Sequence, residues 1–200
     1  SSTLFAVNRQ TGAIRWQRGW PSVAMYGEET SPVVGANGTI YIVSNNGKAY
    51  AVDRNGTEIW STTWADNPIQ PPYPSTPALS PNGTLYFGTQ NQAGKFFALN
   101  STNGAILWEK TGISEMAPII VSGTVYVTAK HESGAPDHTP RIIALNDSNG
   151  STIWEYGLTA GANESWNEWN FSSSDSVMIH DGNRTLYVGL MKQAQWPNNP

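Results

Sequence analysis

Short apolar segments alternate with turn-forming residues along the whole of this 200-residue chain. The clearest example is residues 142–154, IIALNDSNGSTIW, where an apolar run with β character leads into a turn of Asn, Asp, Ser and Gly. A second run then follows the turn and ends in an aromatic residue, Trp154. Two short runs joined by turn residues are typical of an antiparallel hairpin. The pattern therefore predicts an all-β protein built from hairpins.

This hairpin is repeated at residues 4–16, 49–60 and 96–108. Each copy has an Ala within its first strand, a Gly that closes the turn and a Trp four residues after that Gly. The Trp recurs every 44 to 48 residues, a period that indicates a β-propeller with four short strands in each blade. Since a buried Trp removes roughly 150–250 Å² from water, one Trp per repeat is enough to decide how blades stack. The residues expected to dock neighbouring blades are Trp16, Trp60, Trp108 and Trp154.

A second repeated pattern, Thr-aliphatic-Tyr, predicts the inner strands of each blade. It occurs at residues 39–41, 84–86, 124–126 and 185–187. The chain begins with an outer pair of strands and stops after an inner pair. We therefore predict one domain over residues 1–200, with about four blades' worth of four-stranded antiparallel sheet. In this prediction one blade is split between the termini, and the outer strands of residues 1–17 complete the blade begun by residues 173–193.

Because the chain begins with an outer pair of strands and stops after an inner pair, two sheet edges are left exposed. Each edge needs a covering strand. Four arrangements provide one. The ends of one chain meet in a four-bladed ring, or two chains exchange ends in an eight-bladed ring. Alternatively, each end docks on the next copy in a filament, or further blades of a longer chain close the ring. The sequence leaves all four open.

The repeats resemble PQQ-type, or quinoprotein-like, propeller repeats over nearly the whole chain. The motif that carries the resemblance is aliphatic-aromatic-Ala-aliphatic-Asn/Asp, a turn with Gly and then Trp, after the Thr-aliphatic-Tyr inner strand. The resemblance implies a fold but not one activity, because enzymes, assembly scaffolds and binding modules share the repeat.

The enzymes that the chain resembles are quinone-cofactor dehydrogenases. The resemblance implies for them a bound PQQ with Ca²⁺ held by carboxylate and amide ligands, a catalytic carboxylate and, in many cases, adjacent cysteines. This sequence has no cysteine, and no positions match the ligand motif. No catalytic, cofactor-binding or metal residue is therefore assigned. PQQ with calcium is expected only if the chain is a fragment or relative of such a dehydrogenase.

The composition argues against several classes of function. Charged residues make up 13% of the chain and the net charge is −4, with no basic stripe, which argues against nucleic-acid binding. No run of 18 apolar residues occurs, so no membrane span is predicted. The first residues lead directly into a strand, and we expect any signal peptide to have been removed already.

Asn-x-Ser/Thr sequons are more frequent than the composition predicts. Nine of the 18 Asn residues begin one, against about three expected from the Ser and Thr content. This excess favours a heavily N-glycosylated, secreted protein, although Asn-Gly-Thr is also good hairpin chemistry and accounts for some of the sequons. The candidate glycosylation sites are Asn37, Asn55, Asn82, Asn100, Asn146, Asn149, Asn163, Asn170 and Asn183.

The loops outside the hairpin turns are rich in aromatic residues. In propellers of the type that this chain resembles, these loops lie on one face, opposite the face that carries most of the sequons. We predict that their aromatic residues form a contact surface; the alternative is that they cap the propeller's own core. The residues of the predicted contact surface are Trp20, Tyr26, Trp64, Tyr73, Trp166, Trp169 and Trp196.

Two loops carry candidate chemistry. His131, Glu132, Asp137 and His138 place two imidazoles and two carboxylates within eight residues, as a metal site requires. Their spacing is not that of a fixed ligand motif, so a solvated loop is the favoured interpretation. Residues 161–171 place two Glu beside two Trp. This loop is a candidate sugar site or carboxylate pair, with packing or partner contact favoured.

We therefore expect a secreted, extracellular, non-catalytic β-propeller that acts as a structural, assembly or binding module. Its expected partners are itself, as an oligomer or filament, or a glycan or protein at the aromatic face. No nucleic acid or membrane span is expected. Two alternatives stay open: a fragment or relative of a PQQ-dependent dehydrogenase, and a carbohydrate-binding propeller.

Overall fold

The computed structural model describes residues 2–20, 30–65, 73–90, 94–113, 117–129, 141–157, 177–180, 182 and 184–189. All of the regular elements in these ranges are β-strands, which confirms the predicted all-β class. The described part of the chain contains no helix long and apolar enough to cross a membrane. The strands are β1 (Ser2–Val7), β2 (Ile14–Trp20), β3 (Val33–Val34), β4 (Ile40–Ser44), β5 (Lys48–Val52), β6 (Glu58–Thr63), β7 (Tyr73–Pro74), β8 (Ala78–Leu79), β9 (Thr84–Gln90), β10 (Lys95–Asn100), β11 (Ile106–Thr111), β12 (Ile119–Val121), β13 (Thr124–Ala129), β14 (Arg141–Asn146), β15 (Thr152–Gly157), β16 (Val177–His180) and β17 (Leu186–Gly189).

Most of these strands form three antiparallel blades, each built from consecutive segments of the chain. The first blade has the order β3-β4-β5-β6, and the third blade has the order β12-β13-β14-β15. In the second blade β9, β10 and β11 follow one another, and two short strands, β7 and β8, both pair with β9. Two hairpins flank the blades in sequence: β1–β2, the first hairpin, and β16–β17, the last hairpin.

Each repeated outer hairpin places its Ala directly opposite its Trp. In the first blade, for example, Ala51 pairs with Trp60, and the other copies have the same register. A β-bulge follows the Ala in every copy and leaves the residue before the Trp unpaired, as at Ile59. Because the Ala side chain is small, it leaves room on its strand for the indole of the Trp.

The apolar core lies between neighbouring blades. One cluster joins the first and second blades and includes Trp64, Phe87 and Phe97. A second cluster joins the second and third blades and includes Tyr86 and Phe96. The middle strands are almost entirely buried, whereas the outermost strand of the first and second blades alternates between exposed and half-buried residues. The outermost strands are therefore the edges at which blades meet solvent.

The first and last hairpins are separate two-stranded sheets. Among the strands that the structure describes, no backbone pairing joins β1 or β2 to β16 or β17, and no sheet closes on itself. The completion of one blade from residues 1–17 and 173–193 therefore stays a prediction.

Candidate functional site

In three of the four described outer hairpins, the Trp reaches the turn of the following blade. Its indole N–H donates a hydrogen bond to the backbone carbonyl of the second residue in that turn. The three bonds join Trp16 to Arg54 at 2.9 Å, Trp60 to Ser101 at 2.9 Å and Trp108 to Asp147 at 3.0 Å. The bond satisfies the indole N–H at the junction between blades and so fixes the position of the ring. The repeated hairpin thus carries its own connection to the next blade.

Because the Gly that closes each turn has no side chain, the indole can lie directly against the turn. A Cβ added to this Gly would lie 3.0 Å from Trp16 at Gly56, 2.6 Å from Trp60 at Gly104 and 2.6 Å from Trp108 at Gly150. All three Gly residues also have φ between +70° and +84°, a region that other residues rarely adopt. The turn therefore needs Gly for two reasons: its positive φ, and its close contact with the indole.

A Tyr from an inner strand of the same blade packs against the docking Trp. The ring centroids are 6.0 Å apart for Tyr41 and Trp60, 5.8 Å for Tyr86 and Trp108, and 5.9 Å for Tyr126 and Trp154. These Tyr residues are those of the Thr-aliphatic-Tyr pattern. This contact lies within one blade. Trp154 of the third blade therefore shares the Tyr contact of the other two, although it makes no bond to a following turn in the described part of the chain.

A second contact comes from the residue two positions after the docking Trp, which shares its face of the strand. Arg18 Nη1 donates to the carbonyl of Gly56 at 2.8 Å, and Thr62 Oγ1 donates to the carbonyl of Gly104 at 2.7 Å. Arg18 also forms an ion pair of 2.8 Å with Glu58. Sequence analysis missed these residues, although their fixed offset from the Trp was a usable signal.

Asp147 joins the second and third blades through three hydrogen bonds. Its carbonyl accepts from Trp108 Nε1 at 3.0 Å and from Tyr86 Oη at 3.1 Å, and its carboxylate accepts from Asn82 Nδ2 at 2.9 Å. Tyr86 is fully buried. Burial raises the pKa of the Tyr86 phenol above its ordinary value, which keeps the hydroxyl protonated and able to donate.

One turn and one Trp of the kind that form this contact have no neighbouring blade against them in the part of the chain that the structure describes. A Cβ added at Gly12, in the turn of the first hairpin, would meet nothing within 4 Å. Trp154, at the other end of the described blades, is 41% exposed, and Tyr156 after it is 64% exposed. The row of blades therefore presents an unfilled turn at one end and an uncovered indole at the other.

Two residues of the predicted contact surface lie in the core instead. Trp20 and Trp64 are only 6% and 4% exposed. Trp20 packs against Tyr50 with ring centroids 4.9 Å apart, and Trp64 packs against Phe87 at 5.6 Å. Each lies four residues after a docking Trp, on the same side of the blade interface, and this spacing was the signal that sequence analysis missed. The prediction is corrected for these two residues, because both indoles fill space between blades.

The remaining residues of the predicted contact surface are only partly described. Tyr73 begins β7 and is half-buried beside β9. The others, Tyr26, Trp166, Trp169 and Trp196, lie outside the described residues. The contact surface stays a prediction for them.

The candidate metal ligands His131, Glu132, Asp137 and His138 also lie outside the described ranges. Within those ranges no group of three or more His, Asp or Glu side chains is placed to hold a metal ion. Calcium requires several oxygen ligands around one point.

The candidate glycosylation sites of the described residues lie in turns or at strand ends. Asn100 and Asn146 are half-buried, and each accepts a hydrogen bond from the backbone N–H two residues later. Thr39 and Thr84, which belong to two Asn-Gly-Thr sequons, are 8% and 7% exposed and have a structural role at the start of their strands. The exposed sites are Asn37, Asn55, Asn82 and Asn149, and the sites outside the described residues are Asn163, Asn170 and Asn183.

A family model described as "Outer membrane protein assembly factor BamB" matches residues 1–196. No protein with curated annotation matches the chain. Among solved structures, the fold is similar to the quinohemoprotein alcohol dehydrogenase ADHIIG from Pseudomonas putida HK5, with a TM-score of 0.68 and 15% identity over 96% of this chain and 36% of that one.

Two further solved structures are similar. One is a europium-containing methanol dehydrogenase, with a TM-score of 0.68 and 15% identity over 95% of this chain and 44% of that one. The other is a quinohemoprotein alcohol dehydrogenase from Comamonas testosteroni, with a TM-score of 0.65 and 17% identity over 89% of this chain and 35% of that one. The chain spans less than half the length of each of these dehydrogenases. At this level of identity the likeness shows a shared fold alone.

Proposed function

The chain belongs to the family of PQQ-like repeat propellers that the assembly factor BamB represents, and from this membership we propose that it is a non-catalytic propeller that acts as an assembly module. In this role its blades hold one another by a repeated contact, and the surfaces at the ends of the row of blades join further protein. The chemistry is binding, and no residue of the described chain is given a catalytic part.

The observation that supports this proposal best is the docking contact together with its two open ends. Three contacts of a Trp with a Gly-containing turn join the first hairpin and the three described blades in a row. The same parts, the turn of Gly12 and the indole of Trp154, are exposed at the ends. Trp154 and Tyr156 are also exposed aromatic residues two positions apart on one strand, and aromatic residues are enriched in protein interfaces.

We further propose that the first and last hairpins are the outer and inner halves of one blade. The first hairpin has the register of the outer pairs, with Ala6 opposite Trp16. The last hairpin carries the inner-strand pattern at residues 185–187. An isolated two-stranded sheet is marginally stable in water, so each hairpin gains from further strands. Either the same chain or a neighbouring copy supplies them.

Secretion and N-glycosylation are also part of the proposal. Nine sequons support it, and the Asn side chains of four of them are exposed.

The proposal is tested by the native mass of the protein and by an assay for quinone chemistry. Light scattering over a range of concentrations is expected to give particles larger than one chain. Incubation with PQQ and Ca²⁺ is expected to produce neither a specific absorbance change nor reduction of an artificial electron-acceptor dye. A particle of single-chain mass at all concentrations would contradict assembly of the chain with its own copies, and dye reduction would contradict a non-catalytic module.

A further inference from the structure

Six Asn-Gly dipeptides occur in the chain, and each lies in a turn that joins two strands. They are at residues 37–38, 46–47, 55–56, 82–83, 103–104 and 149–150. Because Gly has no side chain, its backbone nitrogen is accessible to the side chain of the Asn before it. That nitrogen can attack the carbonyl carbon Cγ of the Asn and expel the side-chain amide nitrogen as ammonia. These six turns are therefore the places at which spontaneous deamidation has to be considered.

Hydrogen bonds hold the side-chain amide in five of these six turns. In three of them the Oδ1 atom accepts a bond of 2.9–3.0 Å from the backbone N–H two residues later: Asn37, Asn103 and Asn149. Asn46 and Asn82 are each held by two side-chain bonds, one accepted by Oδ1 and one donated by Nδ2. These bonds have to break before Cγ can approach the Gly nitrogen, and we therefore expect them to slow the reaction.

Asn55 is the exception, because Asp53 makes the side-chain bonds of its turn. The Oδ1 atom of Asp53 accepts from the backbone N–H of Asn55 and from that of Thr57, both at 2.8 Å. Asn55 itself is exposed, and its side chain makes no hydrogen bond with any described residue. The N–H of the Gly donates to a carbonyl in all six turns, at 2.8–3.2 Å, so that bond does not distinguish them. The unrestrained amide of Asn55 does.

We propose that the fold directs spontaneous deamidation to Asn55, where the bond to Gly56 rearranges to an isoaspartyl linkage and loosens the first hairpin. The nitrogen of Gly56 loses its proton to solvent and bonds to Cγ of Asn55, Nδ2 leaves as ammonia, and a succinimide ring results. Water then opens the ring. Cleavage between the nitrogen and Cγ gives Asp, and cleavage between the nitrogen and the main-chain carbonyl carbon gives isoaspartate. The net reaction consumes one water and releases one ammonia, and it is independent of the proposed function.

The modified bond lies between the two carbonyls that hold the first hairpin on the first blade. Trp16 Nε1 donates to the carbonyl of Arg54 at 2.9 Å, and Arg18 Nη1 donates to the carbonyl of Gly56 at 2.8 Å. An isoaspartyl linkage adds one carbon atom to the main chain between these carbonyls, so both bonds cannot keep their geometry. The ring of Trp16 lies 3.0 Å from the position of a Cβ on Gly56, which leaves little space for a longer chain. The reaction therefore weakens this docking contact.

The experiment follows all six sites while the full chain is incubated in mildly alkaline buffer, folded or unfolded in guanidinium chloride. The chain is made without N-glycosylation, since a glycan on Asn55 would occupy the Nδ2 atom that leaves. Peptide mass spectrometry gives the rate at each site, and an isoaspartate-specific methyltransferase identifies the linkage. The unfolded sites are expected to react at similar rates. In the folded chain Asn55 is expected to react about 2- to 12-fold faster than the sites held by one hydrogen bond, and Asn46 and Asn82 are expected to be slowest.

Three variants at exposed positions serve as controls. Asn55→Gln is expected to form no isoaspartate at this turn, because its longer side chain does not close a five-membered ring. Asn103→Gln is expected to leave the rate at Asn55 unchanged. Freshly prepared Asn55→Asp has the new charge without the longer main chain. Amide hydrogen exchange of residues 2–20 is therefore expected to be faster in the isoaspartyl chain than in Asn55→Asp or in the unmodified wild type.

Each outcome bears on one part of the proposal. Equal rates at Asn55 and Asn103 in the folded chain would overturn the selection of Asn55. A preference for Asn55 that is as large in guanidinium chloride would also overturn it, because local sequence and not the fold would then be the cause. Hydrogen exchange of residues 2–20 that is the same in the isoaspartyl chain and in Asn55→Asp would overturn the effect on docking. Faster reaction at Asn55 in the folded chain alone, with faster exchange of the first hairpin afterwards, would support the whole proposal.

Discussion

At the scale of single residues, the Gly of each turn meets two requirements, and only one of them is visible in the sequence. The positive φ follows from its place in a tight turn and was foreseeable from the hairpin pattern. The second requirement, a bare backbone under an indole, depends on a residue more than 40 positions away for Gly104 and Trp60. Sequence alone predicted that the Trp packs between blades. It did not identify the surface that receives it.

Substitution of Gly104 is expected to separate these two requirements. A positive φ costs a non-Gly residue about 1–2 kcal/mol, and an added methyl group in a filled space costs typically about 1–3 kcal/mol more. Gly104→Ala should therefore lower the free energy of unfolding by about 2–5 kcal/mol. Gly12→Ala, with a similar φ and nothing within 4 Å, should lower it by about 1–2 kcal/mol. Urea unfolding below the assembly concentration measures both, and equal losses would contradict the contact.

Tyr86 is expected to make the stability depend on alkaline pH. Burial raises the pKa of its phenol above the ordinary value of 10.0. A raised pKa in the folded state gives stability that is fully present below the unfolded pKa and is lost as pH rises through the folded pKa. Tyr86→Phe should lower stability at neutral pH by about 1 kcal/mol through the lost bond to Asp147, and should weaken the decline above about pH 10.

The measurement for Tyr86 is urea unfolding at several pH values from neutral to strongly alkaline. Tyr187→Phe removes the hydroxyl of a Tyr that is 53% exposed and serves as the control for the substitution itself. A variant Tyr86→Phe whose stability declines with pH as steeply as that of the wild type would refute the assignment.

At the scale of elements, the hairpins were predictable because apolar runs and Gly-containing turns repeat in the same order. The structure places strands at each repeated pattern, from β1 to β17. The ends of the outer strands were less predictable, since β2 continues to Trp20, four residues past the docking Trp. Trp20 and Trp64 look like loop residues in sequence because polar residues precede them. Their burial depends on the facing blade, which local sequence does not reveal.

The position of Trp64 predicts a large loss of stability on its removal. It contacts Phe87 and Phe97 with centroid distances of 5.6 Å and 6.0 Å. Trp64→Ala would leave a cavity between the first and second blades and should lower the free energy of unfolding by about 3–5 kcal/mol. Ile59→Ala, at a bulge residue that is 51% exposed, should change it by less than about 0.5 kcal/mol. Urea unfolding that finds a negligible loss for Trp64→Ala would place this residue on a surface.

At the scale of the whole molecule, the period of the Trp residues was enough to predict blades in a row. The described residues form three such blades, and the match to the family extends over residues 1–196. The arrangement of the two hairpins at the ends was beyond the reach of the sequence, because every way of closing the row uses the same contacts. The docking Trp residues of the site were predictable, whereas Gly56, Gly104 and Gly150 as the surfaces that receive them emerged only from the contacts in space.

Glycosylation belongs to this scale because it concerns the surface as a whole. If the protein is secreted from a eukaryotic host with its sequons used, its intact mass should fall on enzymatic removal of N-linked glycans. Asn37, Asn55, Asn82 and Asn149 are the expected sites among the described residues because their side chains are exposed. Replacement of these four by Gln should remove most of the shift, and Gln at half-buried Asn100 is the comparison. An unchanged intact mass after the enzyme treatment would refute the proposal of N-glycosylation.

The identity of the Trp-to-turn contact at each junction also bears on how such a protein changes in evolution. Because every outer hairpin carries the same Trp and the same kind of turn, a duplicated or deleted unit of 44 to 48 residues would have the same contact residues on both sides. The new junction would form by the same contact between a Trp and a turn. Blade number is therefore a property that unequal recombination can alter in one event, and a lineage of such chains is free to vary in length while each joint stays the same.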